Sequence, residues 1–494
     1  MIDLARETRL DVIRQVARLQ EVENERLRTR LAQLTAENAQ LRGTDATAAL
    51  QSELALLQEQ LAAVRKQLFG RSSERGRTET AAANVGSDEA RTAKTGHGPR
   101  PQPELPVVAV VHTLDAADQA CPACGGALTE MAGQCEESEE IDVVAASYRV
   151  VRHCRQKYRC ACGGCVETAF GPPKLIAGGR YSIDFAVSVA VAKYLDHLPL
   201  ARQVRQMARS GLTVDTQTLW DQLAALARHL EPTYQALHAY VLEAPVLGAD
   251  ETTWRLLEKP GGKTWYAWSA VRPDAVVYRI DGSRSAAAAE KLLRDYQGTL
   301  VCDGYAAYDT LAHSRDGPSP KLAHCWSHVR RKLLEAEREA REGLDLITAL
   351  YAIEAETRGD PDARRARRAG ESRALIAAFE KWLLAQRTLP QSSFGKALTY
   401  TAGCWPGLVR FLDDPAIPLD NNASERALRG IVLGRKNHYG SKSQRGTEAA
   451  ALFYSLLESA KLAGLEPAAY LAEATRRTIA APGRVTLPRD LASA

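Results

Sequence analysis

VLGADETTW, residues 246–254, decides the fold class of this 494-residue chain. A short apolar run leads directly into Asp250, with Glu251 and Thr252 behind it. TLVCDGY, residues 299–305, repeats the pattern and ends on Asp303. Between them lie TWYAWSAV (264–271), AVVYRI (275–280) and the helix-like SAAAAEKLLRDY (285–296), and KLAHCW (321–326) follows. Short alternating or apolar runs around a helix predict an α/β domain, with TLVC as its fourth strand. Asp250 and Asp303 would then stand at the ends of two neighbouring strands. Far downstream, DNNASER (420–426) opens a helix with Glu425 about one turn in. Three carboxylates carried in this way can converge. Carboxylate oxygens suit hard divalent cations such as magnesium, and two such ions can clamp an in-line phosphoryl displacement. Singly, each acid also reads as a solvated strand end or a cap.

Working outward, residues 327–413 are helical by pattern and carry the basic run Arg364, Arg365, Arg367 and Arg368. The segment 420–475 reads as further helices broken by GRKNHYGSKSQRG (434–446). Before the α/β domain, 181–243 is helical, and residues 198–230 have the layout of a helix-turn-helix. Its first helix should end near Ser210–Gly211 and its second begin at Asp215 or Thr216, presenting Gln217, Thr218 and Asp221. That layout suits DNA contact, although many helix pairs joined by a glycine turn touch none.

Toward the N-terminus, Leu27, Leu31, Leu34, Asn38 and Leu41 follow the alternating four-three spacing of a coiled coil. Asn38 falls at an a position, where a buried Asn fixes register in a two-stranded coil. A second run from Leu50 to Leu68 keeps the spacing after a phase shift at Gly43, so a hairpin turning at Gly43–Thr47 is the alternative to a dimer. Residues 70–106 lack apolar periodicity and read as a flexible linker.

Seven of the ten cysteines lie between Cys121 and Cys165. Cys121-x-x-Cys124 followed by two glycines is a strong zinc half-site. The other half lies in Cys160-x-Cys162-x-x-Cys165, where Cys162 with Cys165 repeats the spacing and Cys160 competes. Cys135 and Cys154 are spare. An all-thiolate set is a structural site, since it leaves no open position for chemistry. Between the halves, Tyr148, Arg149, Arg152, His153, Arg155, Lys157, Tyr158 and Arg159 form a basic, aromatic-flanked strip that could follow phosphates or face solvent as a strand.

Composition narrows the class further. Lys plus Arg number 64 against 60 for Asp plus Glu, a net +4, so any nucleic-acid footprint must be local. No apolar run approaches a membrane span, since Phe185–Ala192 is the nearest candidate. The charged opening lacks a signal core, and a cytoplasmic protein without a membrane partner is expected. Neither a Walker-type phosphate loop nor a dinucleotide glycine fingerprint is present.

Taken together, VLGADETTW, VCDGYAAYD (301–309), LAHCWSHVRRKL (322–333) and LDNNASERALRGIVLGRKN (419–437) resemble the insertion-sequence-66 family of bacterial DDE transposases. KQLFGRSSER (66–75), the cysteine cluster and YLDHLPLARQ (194–203) match the same family in the same order, so the resemblance covers nearly the whole chain. It implies an RNase H-like catalytic core with an all-helical insertion, and Asp250, Asp303 and Glu425 as the triad holding Mg2+ or Mn2+. The spacing is 53 residues from Asp250 to Asp303 and 122 from there to Glu425. The expected organisation is a leucine-zipper-like coiled coil (1–69), the linker (70–106), a zinc-finger domain (107–172), a helical DNA-binding domain (173–243), the catalytic domain (244–440, insertion about 333–415) and a C-terminal helical region (441–494).

Arg426, Arg429, Arg435 and Lys436 follow Glu425 at spacings suited to DNA backbone, with a solvated basic helix as the alternative. Arg330 and Arg331 join them as expected DNA contacts. Cys325-x-x-His328 has no second half-site and reads as structural, near the active site. The implied activity is nucleoid-associated: binding terminal inverted repeats, cleaving strands and joining them to target DNA. The implied partners are DNA, a second protomer or a higher oligomer, and accessory proteins encoded by the same element. A decayed, non-catalytic DNA-binding copy and a nuclease that never joins are the competing readings. Two positions depart from the family pattern: the extra cysteine at 160–165, and Gly248, where relatives often carry His.

Overall fold

The computed structural model describes residues 147–159 and 165–492, apart from 259, 260 and 316, together with Thr29, Gln33 and scattered positions between 106 and 141. The coiled-coil reading and the ligand candidates Cys121, Cys124, Cys160 and Cys162 lie outside the described residues, save that Thr29 and Gln33 are helical. Everything below belongs to one compact unit containing Ser147–Ala494.

A small antiparallel hairpin comes first, β1 (Lys157–Arg159) with β2 (Val166–Thr168), bracketing residues 160–165. Three helices follow: α1 (Ile183–Tyr194), α2 (Leu200–Arg209) and α3 (Thr216–Leu242). Gly211 turns the chain between α2 and α3 at a φ of 81°. The Asp215 carboxylate caps α3 by accepting the Thr218 N–H.

The sheet then forms from β3 (Val246–Leu256), β4 (Lys263–Arg272), β5 (Ala275–Asp281), β6 (Thr299–Cys302) and β7 (Lys321–His324). Their order is β5-β4-β3-β6-β7. The first three are an antiparallel meander. β6 and β7 join in parallel to β3, each reached through a crossover helix, α4 (Ala286–Leu293) and α5 (Ala306–Ser314).

Between β7 and the next sheet-packing helix the chain makes the helices α6 (Trp326–Leu334), α7 (Arg341–Glu356), α8 (Pro361–Arg367), α9 (Arg373–Ala385) and α10 (Ser393–Leu408). They close around Trp326, Ile347, Phe379 and Trp382 as a core of their own. The main core runs from Leu175 to Leu487, taking in α1 to α3, the sheet and the later helices α11 (Asn422–His438), α12 (Gln444–Leu462) and α13 (Pro467–Ala480); α14 (Pro488–Ala492) ends the described chain.

α12 solves the edge problem of β5. An outer strand leaves backbone N–H groups unpaired. Here Ser459 and Ser455 on α12 accept the N–H groups of Val276 and Tyr278 at 3.0 and 2.9 Å. No helix among the described residues is long and apolar enough to cross a membrane.

The basic run of the insertion is largely ion-paired. Arg368 is 1% exposed and grips Glu354 at 2.7 Å, and Arg364 lies 3.4 Å from the same carboxylate. Arg367 pairs with Glu356 and Glu371, and Arg365 with Asp362. Arg364 and Arg368 are held by Glu354 on α7, whereas Arg365 stays exposed in its pair with Asp362.

Candidate active site

β3 and β6 run side by side in parallel, with Val246 opposite Thr299 and Gly248 opposite Val301. Continuing that register sets Asp250 beside Asp303, one on the central strand and the other just past the end of its neighbour. In a pleated strand successive side chains take opposite faces. Gly248, Asp250 and Thr252 therefore share the face covered by α11, while Leu247, Ala249 and Glu251 point the other way and are buried.

α11 is fastened to β3 along its length. At its start, Asn421 donates from Nδ2 to the Ala249 carbonyl at 2.7 Å. Near its end, Arg435 bonds Thr252 Oγ1 at 3.2 Å and the carbonyl of Thr253. Past its end, Ser441 N–H donates to the Arg255 carbonyl at 3.0 Å, and Leu257 N–H to the Ser441 carbonyl at 2.8 Å. Gly440 makes that last approach possible, since a Cβ there would stand 2.1 Å from the Arg255 oxygen.

Gly248 serves the same packing. A Cβ on it would lie 2.3 Å from Ser424 Oγ and 3.0 Å from Asn421 Oδ1. The first turn of α11 thus rests directly on the β3 backbone, two residues before Asp250, and a histidine at 248 would push the helix away.

With the helix so placed, Glu425 and Asp303 both act on Asp250. Burial first, and then the like charges of Glu251, Asp303 and Glu425, push the Asp250 carboxyl up to about 7, against the Glu251 N–H that it accepts at 2.8 Å. His328, on α6, reaches the same place, its Nε2 3.7 Å from Glu425, and Arg331 stands at the same distance. Burial and the neighbouring Arg331 hold His328 below its ordinary value, against the pull of Asp303 and Glu425. Among the described residues no three His, Cys, Asp or Glu side chains stand close enough to share one ion. Glu425 rests against His328 and Arg331 instead.

Cys325 does not pair with His328 around a metal. Its sulfur accepts the Asn421 N–H at 3.2 Å and contacts Ser327 Oγ at 3.1 Å, tying the start of α6 to the start of α11.

The residues expected on DNA divide into two sets. Arg426, Arg429 and Lys436 are exposed on α11 at spacings of three and seven residues, hence on one face. Arg435, by contrast, is turned onto β3, drawn by the row of oxygens offered by Thr252 and Thr253. Arg330 is half-buried and Arg331 exposed on α6. Gln217 and Thr218 open α3, with the Gln217 amide already donating to Asp221 at 2.9 Å. Cys165 and Cys154 are both exposed, as is the basic strip from Tyr148 to Tyr158.

Sequence reasoning missed Glu251, whose side chain is 1% exposed and paired with Arg284 at 2.7 Å. The signal was available. A carboxylate on the buried parity of a central strand must have a partner.

Two family models match the chain. One, described as the transposase IS66 family, covers residues 178–449, which spans the sheet, the insertion and α11. The chain belongs to the IS66 family of transposases. The second, the zinc-finger binding domain of transposase IS66, covers residues 118–163. That stretch contains Cys121, Cys124, Cys160 and Cys162, and Cys165 lies two residues beyond it. Two relatives are similar over most of their length as well. An uncharacterized protein of Sinorhizobium fredii, y4jD, is 35% identical over 435 residues, covering 83% of this chain and 81% of that one. Another from the same organism, y4qI, is 31% identical over 428 residues, covering 81% and 78%.

Proposed function

We propose that this IS66-family protein is a DDE transposase that binds the terminal inverted repeats of its element, cleaves a strand to expose a 3′ hydroxyl and joins that hydroxyl to target DNA. The observation that carries the reading is the convergence of Asp250, Asp303 and the first turn of α11 beside the central strands β3 and β6, fixed by the β3–β6 register and by Asn421 on the Ala249 carbonyl. The antiparallel meander followed by two parallel strands, with the first acid on the central strand, supports an RNase H-like core.

The donor set fits a hard divalent cation. It offers carboxylate oxygens and no thiol, and like charges already crowd Asp250. Asp250, Asp303 and Glu425 would hold Mg2+ or Mn2+, which when bound supplies activation of the attacking oxygen and stabilisation of the departing one. To join them Glu425 would give up its 3.7 Å contacts with His328 and Arg331. The exposed Arg426, Arg429 and Lys436 start one residue past Glu425 and would grip backbone phosphates flanking the reacting bond. Arg330, Arg331, Gln217 and Thr218 extend that contact. The finger would hold zinc through Cys121, Cys124 and two of Cys160, Cys162 and Cys165. Pairing of protomers through the N-terminal coil would bring two element ends together, with accessory proteins of the element assisting.

Strand transfer tests the proposal. Purified protein, Mn2+ or Mg2+, DNA carrying the element's ends and a supercoiled plasmid are incubated, with Asp303→Asn in parallel. Joined products are expected from the wild type, with a loss of at least about a thousandfold in the variant. Cleavage without joining would make the protein a nuclease. Binding with neither reaction would make it a non-catalytic DNA-binding protein, and joining by Asp303→Asn would remove the site assignment.

A further inference from the structure

Behind the carboxylates, on the opposite face of β3, one guanidinium touches the neighbours of both aspartates. Arg284, in the turn between β5 and α4, donates from Nε and Nη2 to Glu251 Oε1 at 3.0 and 2.7 Å. Tyr308 of α5 fills the other oxygen of Glu251 at 2.9 Å. The Arg284 guanidinium also lies over the Tyr305 ring, 4.0 Å from its centre, and the Tyr305 hydroxyl donates to the Arg284 carbonyl at 2.8 Å. The circuit closes on the acids themselves: Glu251 N–H donates to Asp250 at 2.8 Å, and Tyr305 N–H donates to Asp303 at 3.1 Å. Trp268 holds the turn from below, its indole donating to the Ser283 carbonyl at 3.2 Å and its ring edge-on to Tyr308.

The geometry points to Arg284 as a positioning residue, which sets Asp250 and Asp303 against each other through Glu251 and Tyr305 and so fixes the separation at which they receive a divalent cation. Glu251 is buried while the Arg284 side chain stays 45% exposed, and a pair of this kind adds little net stability over an apolar replacement of the buried partner. What an ion pair supplies and an apolar contact does not is direction. Glu251 can accept from Arg284 and Tyr308 together only in one backbone orientation at 250–251. That orientation aims Asp250 toward α11. The stack on Tyr305 does the same for the turn that carries Asp303. Residues behind metal ligands commonly change affinity by about 10–100-fold when removed.

This inference rests on the reading of Asp250 and Asp303 as cation-holding groups, and Mn2+ binding by the full chain, followed by electron paramagnetic resonance without DNA, separates the two. Arg284→Met alone should lower Tm, because it leaves Glu251 buried and unpaired. Glu251→Met with Arg284→Met should recover Tm to within a few degrees of the wild type. Its Mn2+ affinity is expected to remain about tenfold weaker. Arg284→Lys, which restores charge without the fork, should recover part of the loss. Wild-type affinity in a double variant of wild-type Tm would overturn the inference and leave Arg284 a structural residue only. Tyr305→Leu gives an independent measure, since it keeps the ion pair and the backbone N–H but removes the stacking platform: a severalfold weaker affinity supports the inference, and an unchanged one overturns it. Equal Mn2+ binding by the wild type and Asp303→Asn would instead remove the carboxylate site, and this inference with it.

Discussion

The insertion and α11 each carry a run of basic residues, and the two runs have opposite fates. In the insertion, Arg364 and Arg368 turn inward to Glu354, Arg367 pairs nearer the surface with Glu356 and Glu371, and the Arg368 guanidinium also caps the carbonyls of Phe411 and Asp414 at 2.7 and 2.9 Å. On α11, Arg426, Arg429 and Lys436 stand exposed beside Glu425, with no ion-pair partner among the described residues. The difference is where the acids lie. Glu354 and Glu356 sit on α7, which packs against the arginine-bearing segment, whereas α11 offers its outer face only Ala423 and Leu433. A basic run in a sequence therefore reports a nucleic-acid face only after its internal partners have been excluded.

The largest effect should come from breaking the inward run. Arg368→Met leaves the Glu354 carboxylate with Arg364 alone and strips a donor from two buried carbonyls. The expected cost is about 3 kcal/mol, read from urea unfolding. DNA affinity measured below the transition should not change. A loss of affinity in the folded variant would mean that the insertion's arginines meet DNA after all.

The outward run should behave in the reverse manner. Replacing Arg426, Arg429 and Lys436 together by Ala should leave stability within about 0.5 kcal/mol of the wild type, since none is buried. If the stripe lies on phosphates, the slope of log affinity against log salt should fall by about one for each contact removed. A slope that stays constant would place the DNA elsewhere on the chain.

Much of this was legible in the sequence, for reasons that are local. The strands at 246, 264, 275, 299 and 321 announce themselves because short β-branched and aromatic runs are bounded by turn residues. The start of α3 at Thr216 was marked by Asp215, whose carboxylate needs only the next few residues to act as a cap. What could not be read is long-range. Nothing near Arg368 in the chain indicates Glu354 on another helix. Nothing near Gly248 shows that Ser424 will lie against it, though the close approach explains why this chain has no side chain there. Glu251 is intermediate: its parity betrays burial, but its partner Arg284 lies 33 residues away beyond two strands.

Arg435 offers the finest test, because it belongs to the outward helix by sequence and to the inward class by contact. It lies one residue before Lys436 and a hundred degrees around the helix, which brings it over β3 rather than solvent. There Nη1 meets Thr252 Oγ1 and the Thr253 carbonyl, and burial depresses its pKa. A lysine keeps the charge, but its ammonium sits on a more flexible stem and does not reproduce the planar nitrogen held among three oxygens of the two threonines. Arg435→Lys should therefore cost about 1 kcal/mol of stability, by loosening the end of α11 from β3. The salt dependence of DNA binding should be unaffected, in contrast with each member of the outer stripe. A variant of unchanged stability whose salt slope falls by about one would make Arg435 a phosphate contact, and would restore the simpler picture in which every basic residue after Glu425 faces DNA.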